Sequence, residues 1–227
     1  MTQHEGNDKE ADLDQQFKRQ MEKAAPTYDS LMKRMTFGRE RELRETTITL
    51  AGVKPGDCVL EVGCGTGTLT LAARRRAGPS GKVYGIDVIP LMIELIQRKA
   101  AQAGEEISFQ VASIVDIPFP ANTFDVVMGS FMIFHMSEKV RQKGIAEIFR
   151  VLKPNGRLLV LDTATPTRPL LKAFVKMFTG GELPPDLHQL PYLLELSGFS
   201  KIEIAPVNFR LFGFSPLTFV RGFAQKN

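Results

Sequence analysis

Cysteine is scarce in this 227-residue chain: Cys58 and Cys64 fall on one short apolar run and the turn that follows it. Residues so placed make poor disulfide geometry, which points to a reducing compartment. The three histidines, His4, His135 and His188, add no ligand spacing of the structural-zinc kind, so no metal is expected. Long hydrophobic runs are missing too, and nothing approaches the roughly 18 uncharged apolar residues of a membrane span. The opening stretch, MTQHEGNDKEADLDQQ, is polar and acidic without a secretory-type apolar segment, so the expected location is the cytoplasm. Charge of one sign is thinly spread. The net charge is +4, and the one tight basic run, Arg74-Arg75-Arg76, lies near the end of a predicted helix, where it complements the helix dipole. A nucleic-acid partner is therefore not expected. Repeats and low-complexity segments are absent as well.

What is present fits a single globular domain with a substantial core, at 43% hydrophobic and 24% charged residues. Strand and helix patterns alternate from about Asp57 to Asp162. Short apolar runs at 58–62, 82–86, 107–111, 124–129 and 157–161 read as strands. Helices are predicted over 68–77, ending at Gly78-Pro79, over 90–103, with Pro90 in the first turn and Gly104 after the end, and from a Ser137 cap to Leu152. Lys153-Pro154-Asn155-Gly156 reads as a turn. Ahead of this core, 13–25 and 39–51 read as helices joined through Pro26-Thr27-Tyr28-Asp29. Behind it, a Phe-, Pro- and Gly-rich stretch over 166–185 precedes a helix over 186–197 and two strands, 201–209 and 217–224. The expected architecture is α/β: a Rossmann-like three-layer sandwich whose mainly parallel seven-stranded sheet ends in an antiparallel pair. The expected organisation is a disordered tail over 1–12, a helical lid over 13–51, and a main domain over 52–227 with an acceptor-side insertion at 163–198.

The sharpest signal is Val59-Leu60-Glu61-Val62-Gly63-Cys64-Gly65-Thr66-Gly67-Thr68, a glycine-rich turn between a strand and a helix. Glycines there let the backbone approach a ligand closely. A dinucleotide fingerprint would need glycine at Thr68, and a phosphate-binding P-loop would need a Gly-Lys-Ser/Thr that is missing. Glu61 would repel a pyrophosphate but suits a cationic ammonium. Asp87, at the end of the second strand, can accept from both hydroxyls of a ribose; the plainer reading is a cap for the helix at Pro90. Cys64 reads as a small residue filling a crowded turn.

The set VLEVGCGTGTLT, GIDVIPLMIE, DIPFPANTFDVV and RVLKPNGRLLVLD resembles the class I S-adenosylmethionine-dependent methyltransferases, closest to the branch of ubiquinone and menaquinone biosynthesis enzymes. The resemblance spans about Tyr28 to Asp162. It implies S-adenosylmethionine as cofactor, with Gly63, Cys64 and Gly65 around its methionine part, Asp87 on the ribose, and Val88 and Met92 against the adenine. Where the family carries Gly-Asp-Ala, this chain has Ala112-Ser113-Ile114, so Ser113 offers the adenine one hydroxyl and Ile114 its amide. Ser130, Phe131 and His135 follow the fourth strand where donor and acceptor should meet. His135 is a candidate general base or a plain backbone hydrogen-bonder. Tyr28 resembles a family tyrosine that folds over the cofactor. Phe131, Met132, Ile133, Phe134, Phe174, Phe178, Phe212 and Phe214 would line an apolar acceptor pocket or simply fill core.

The expected function is therefore methyl transfer to a small apolar or aromatic acceptor through nitrogen, oxygen or carbon. Two alternatives stand beside it: a non-catalytic S-adenosylmethionine-binding protein, and a peripheral membrane enzyme acting on a quinone precursor or phospholipid. The second implies weak contact with a membrane surface.

Overall fold

The computed structural model describes residues 18–133, 136–163, 187–210 and 217–226, together with Gln15, Lys172 and Ser215. The expected apolar runs all become strands of one sheet: β1 (Cys58–Val62), β2 (Lys82–Asp87), β3 (Ser108–Val111), β4 (Phe124–Ser130), β5 (Leu152–Thr163), β6 (Phe199–Pro206) and β7 (Leu217–Ala224). Their order is β3-β2-β1-β4-β5-β7-β6. The first five strands pair in parallel, and β7 runs antiparallel to both β5 and β6. The order reverses between β1 and β4, and ligands of open α/β sheets bind beyond the strand ends at that point.

The helices given bounds among the described residues are α1 (Tyr28–Met35), α2 (Glu40–Ala51), α3 (Thr68–Ala77), α4 (Pro90–Ala103), α5 (Glu138–Val151) and α6 (Leu190–Leu196). Side chains alternate along each strand, so a sheet covered on both faces needs apolar residues at successive positions. Leu60, Val62, Val127, Leu158 and Val160 pack with Ile145 and Ile148 of α5 and Leu194 of α6. Their neighbours Val59, Val126, Met128, Leu159 and Leu161 pack with Leu43 and Ile48 of α2 and Leu69 and Ala72 of α3. This makes the three expected layers.

The local signals act as their chemistry requires. The Ser137 hydroxyl caps α5 by accepting from the Val140 amide at 3.4 Å, and Gly104 ends α4 at φ 67°. Arg74 donates to the Gly78 carbonyl at 2.5 Å, so part of the basic run closes the end of α3. Both cysteines are free.

The structure departs from the sequence reading in four places. Residues 26–29 do not simply join two helices: helical residues 18–24 run into a 3₁₀ turn at Ala25–Thr27, and α1 follows directly. Pro26 sits in the first positions of that turn, where its missing amide costs nothing, so it bends the chain without breaking it. The turn Lys153–Gly156 lies inside β5. Phe124 pairs with Leu152 and Val126 with Arg157, leaving the turn as a bulge with Asn155 at φ 61°. β6 starts and ends earlier than expected, and a register shift between Ser200 and Glu203 accompanies Lys201 at φ 50°. The helix expected over 186–197 is shorter and follows a 3₁₀ turn, Leu187–Gln189. The tail expected at 1–12 and nearly all of 164–186 lie outside the described residues.

Candidate cofactor and acceptor site

Beyond the carboxyl ends of β1, β2 and β4 lies a cleft with about 950 Å³ of empty space, its open mouth included. Its floor is the glycine turn. Gly63 and Gly65 take left-handed backbone (φ 63° and 50°) and line the cleft. A Cβ at Gly65 would meet nothing within 4 Å, so the backbone there faces open space. Gly67 works differently. It is the left-handed N-cap of α3 (φ 73°), and a Cβ there would stand 1.8 Å from Cδ1 of Ile96 on α4. Gly65 leaves room for a ligand, while Gly67 lets two helices close on each other.

Asp87 ends β2 on the cleft wall with only 8% of its surface exposed. Its two carboxylate oxygens accept from the Gly65 amide at 2.8 Å and the Ile89 amide at 2.9 Å. Burial pushes its carboxyl up, while the Gly65, Ile89 and Val88 amides favour the charged form. The helix at Pro90 has Ile89 as its N-cap and no side-chain cap bond, so Asp87 holds the glycine turn to β2 rather than capping α4. A carboxylate has about four acceptor positions, so lone pairs remain for ribose hydroxyls. Val88, Met92, Ser113 and Ile114 line the same end of the cleft, where Ile86, Ile89 and Ala112 add apolar wall. The Ser113 hydroxyl accepts from the Val115 amide at 3.4 Å.

Tyr28, Ser130 and Phe131 also line the cleft, with Met132, Met136 and Val140. Burial pushes the Tyr28 hydroxyl up, and Arg44 opposes the rise. Phe131 is held at φ 56°, an uncommon backbone for a bulky residue, and its amide donates to the Leu161 carbonyl at 2.9 Å. Ile133 is core, 2% exposed. His135, Phe134, Phe174, Phe178, Phe212 and Phe214 lie outside the described residues.

Two predicted residues stand behind the cleft wall. The Cys64 side chain is 5% exposed and faces Gly85, where a Cβ would sit 3.0 Å from its sulfur. Burial pushes its thiol well up. Glu61 is 2% exposed beneath the turn, where it accepts from the Thr70 hydroxyl. Burial pushes its carboxyl up to about 8, against Thr70 and Arg44, which favour the charged form. Unfolded, it would titrate near 4.5, so the folded chain holds an extra proton between the two values. Its contribution to stability is full below about 4.5 and is lost as pH rises through about 8. The ligand-free protein is thus expected to melt at falling temperature from pH 5 to 8.5, and Glu61→Gln to remove most of that slope. Melting curves at stepped pH check this; an equal slope in the variant would contradict it.

Arg44 is the residue that sequence reasoning missed. Only 6% exposed, it reaches from α2 to donate to Thr68 Oγ1 (3.0 Å), Ser130 Oγ (3.3 Å) and Glu40 Oε1 (3.2 Å). Its guanidinium lies 6.0 Å from the Phe131 ring centroid. An arginine spaced with Ile48 and Ala51 on the buried face of α2 was the available signal, because unpaired arginines are almost never fully buried. Lys99 of α4 was missed too. It pairs with Asp29 of α1 and donates to the Thr66 carbonyl at 3.1 Å, tying the helix that carries Tyr28 to the glycine turn. Lys18 and Met21 line the cleft from the N-terminal side.

A glycine turn, a strand-end carboxylate and an apolar slot meet in this cleft, with Tyr28 and Phe131 also in its lining. Residues 9–201 match the ubiE/COQ5 methyltransferase family. The chain belongs to that family. A 2-phytyl-1,4-naphtoquinone methyltransferase of Trichormus variabilis is 32% identical over 166 residues, covering 72% of each chain. A demethylmenaquinone methyltransferase of Symbiobacterium thermophilum is 35% identical over 147 residues, 64% of this chain. That match spans only 58% of the Symbiobacterium protein's own length. Among solved structures, a SAM-dependent methyltransferase from Aquifex aeolicus aligns with a TM-score of 0.68 at 25% identity, covering 86% of this chain and 97% of that one. Fold and family are those of S-adenosylmethionine-dependent methyltransferases, and the cleft occupies the switch point where that fold binds ligands.

Proposed function

We propose that this methyltransferase-family chain transfers a methyl group from S-adenosylmethionine to carbon of a small aromatic acceptor of the quinol type. The observation that carries the reading is the shared cleft: the Gly63–Gly65 turn and Asp87 at one end, Tyr28, Ser130 and Phe131 at the other. The names of the Trichormus and Symbiobacterium relatives support a naphthoquinone-like ring.

The residues present fit the cofactor. Gly65 leaves open space against its backbone, Asp87 has acceptor capacity left, and Val88, Ile89, Met92 and Ala112 offer an apolar slot for a purine. Ser113 and the Ile114 amide serve its polar edge. Glu61, buried beneath the turn and hydrogen-bonded to Thr70, supports the cleft floor from behind rather than meeting the ligand. When bound, the sulfonium supplies an electrophilic methyl group. The chain's own task is then to hold an acceptor carbon in line with that methyl group and to keep water out. Met132, Met136 and Val140 exclude water, and Phe131 offers a face to a flat ring. Arg44, hydrogen-bonded to Ser130, keeps the end of β4 in place. A phenolic acceptor must lose a proton to make its ring carbon nucleophilic. We assign that proton to His135, while Tyr28, whose hydroxyl burial keeps protonated, would donate a hydrogen bond to the acceptor oxygen; both would then be the catalytic residues. The helical lid over 13–51, which brings Lys18, Met21 and Tyr28 to the cleft, forms an acceptor wall in this reading. The two free cysteines fit the cytoplasm.

The test begins with a calorimetric titration using S-adenosylhomocysteine, for which binding in the micromolar range is expected. Transfer of labelled methyl from S-adenosylmethionine to a chemically reduced demethylated naphthoquinone follows. Tight binding without transfer to any phenolic ring would sink the acceptor assignment; failure to bind at millimolar ligand would sink the cofactor assignment.

A further inference from the structure

Ser130 lines the cleft as the last residue of β4, and what stands behind it sets it apart from the other hydroxyls there. Its Oγ accepts from Nη1 of Arg44 at 3.3 Å, and among the described residues nothing takes its own proton. A hydroxyl has one donor and two acceptor positions. With a guanidinium on the oxygen, the proton is turned away from Arg44 and is left for whatever occupies the cleft. Arg44 itself is fixed. Its Nε donates to Thr68 Oγ1 (3.0 Å) and its Nη2 to Glu40 Oε1 (3.2 Å), and the Thr68 hydroxyl donates to the same Glu40 oxygen (2.9 Å). Each of the three nitrogens has a different partner, which holds the planar fork in one orientation. Arg44 is 6% exposed and is not part of the cleft lining, so it reaches the cleft through the Ser130 hydroxyl.

The charges around this end of the cleft give such a donor a task. Asp162 of β5, Asp87 of β2 and Glu61 of β1 all disfavour a negative charge at the Tyr28 hydroxyl, and Arg44 opposes them. Glu40 is bonded to the Arg44 nitrogen that does not reach Ser130. Lys18 lines the cleft but is exposed, so solvent screens its charge. A negative charge brought beside Tyr28 therefore meets three carboxyl groups and one buried cation. A hydroxyl backed by that cation is the group on the cleft wall suited to receive it.

We propose that Ser130 is a catalytic residue whose hydroxyl donates to the ionised oxygen of the acceptor, and that Arg44 is the positioning residue that orients and polarises it. The inference rests on the phenolic acceptor proposed above, and it gives the acceptor oxygen a second donor beside Tyr28. Ser130 keeps its proton throughout. The acceptor's phenolic proton passes to the base, and the charge left on oxygen spreads to the ring carbon. As that carbon bonds the methyl group, the carbon–sulfur pair stays on sulfur. The carbon then releases its own hydrogen as a proton, and the phenolate so restored takes its proton back. A donor fixed in advance at the oxygen lowers the acceptor's pKa and raises the fraction ionised at neutral pH.

The test uses the full chain saturated with S-adenosylhomocysteine and 4-nitrophenol as probe, because the colour of this phenol reports its ionisation. Its apparent pKa should fall by about one unit or more on binding, the scale of one charge-assisted hydrogen bond. S130A and R44Q should each weaken phenolate binding by about tenfold or more, while 4-nitroanisole, which has no proton to lose, should lose far less. S130T, which returns a hydroxyl, should recover most of the phenolate binding. R44K, with a charge but no fork, should recover only part. An unshifted probe in the parent overturns the proposal, as does phenolate binding by S130A equal to the parent's. Equal losses for both probes also overturn it, since a purely structural role would weaken them alike. If R44Q fails to fold, S130A carries the test by itself. Methyl transfer to a reduced naphthoquinone separates the two readings. The phenolate is the reactive form, so kcat/KM rises with pH through the acceptor's pKa, and S130A should move that rise to higher pH. Transfer with an unmoved pH profile in S130A sinks the Ser130 donor and leaves the function standing. A shifted probe in a parent that transfers no methyl group sinks the acceptor reading and leaves the donor site standing.

Discussion

Asp87→Ala is expected to weaken S-adenosylhomocysteine binding by more than tenfold, and a smaller loss would remove the role assigned to this carboxylate. Two effects add. The variant loses the group that would accept from the ribose, a charged hydrogen bond of about 1.5–3 kcal/mol. It also strips the Gly65 and Ile89 amides of their acceptor, 2.8 and 2.9 Å away. The glycine turn is then no longer pinned to β2, and two mostly buried donors lose their partner. Asp87→Asn separates the contributions. Its single carbonyl oxygen can serve one amide but not two amides and a diol, so its affinity should fall between parent and alanine variant. Calorimetry gives the affinities, and thermal melting without ligand reports how much of the loss is structural.

Gly67→Ala should be the most destabilising of the conservative changes in the glycine turn, and Gly65→Ala should cost less stability while harming binding. At Gly67 the new methyl would stand 1.8 Å from Ile96 Cδ1 and 2.2 Å from its Cγ1. Ile96 is completely buried, so it cannot swing into solvent. Left-handed backbone adds roughly 1–2 kcal/mol for a residue with a Cβ, and overpacking adds about 1–3 kcal/mol. A loss of about 3 kcal/mol lowers the melting temperature by roughly 6–12 °C in a domain of this size. At Gly65 the backbone strain is similar, but a Cβ meets nothing. It would occupy space left for the ligand, and affinity should drop with a melting shift of only a few degrees. If both alanine variants melt alike and bind alike, the division of labour between the two glycines is wrong.

The two predictions differ in how they could be foreseen. The sequence marks Asp87 by its position after an alternating strand. That it braces the turn as well as facing the cleft depends on two amides, one contributed by a segment more than twenty residues away. The three glycines look alike in the sequence, and only the packing of α4 against α3 tells Gly67 from Gly65.

Read alone, the chain determines its strand and helix alternation, the glycine turn, the strand-end carboxylate and the antiparallel close of the sheet. These depend on period, composition and turn chemistry, all of which act within a few residues. Tertiary structure decides what depends on long-range encounters. It sinks Glu61 and the Cys64 side chain behind the cleft wall, because the layers above and below β1 leave no room at its end except along the backbone of the turn. It carries Arg44 from a helix outside the central core to the end of β4, where its four contacts come from residues 4 to 87 positions away. It turns the joint at 26–29 into α1, and so places Tyr28 on the cleft and Leu31 and Met35 in solvent on the same short helix. The reason is common to all three. Burial and pairing of polar groups are set by which elements meet across the sheet, and local sequence carries no record of that partner.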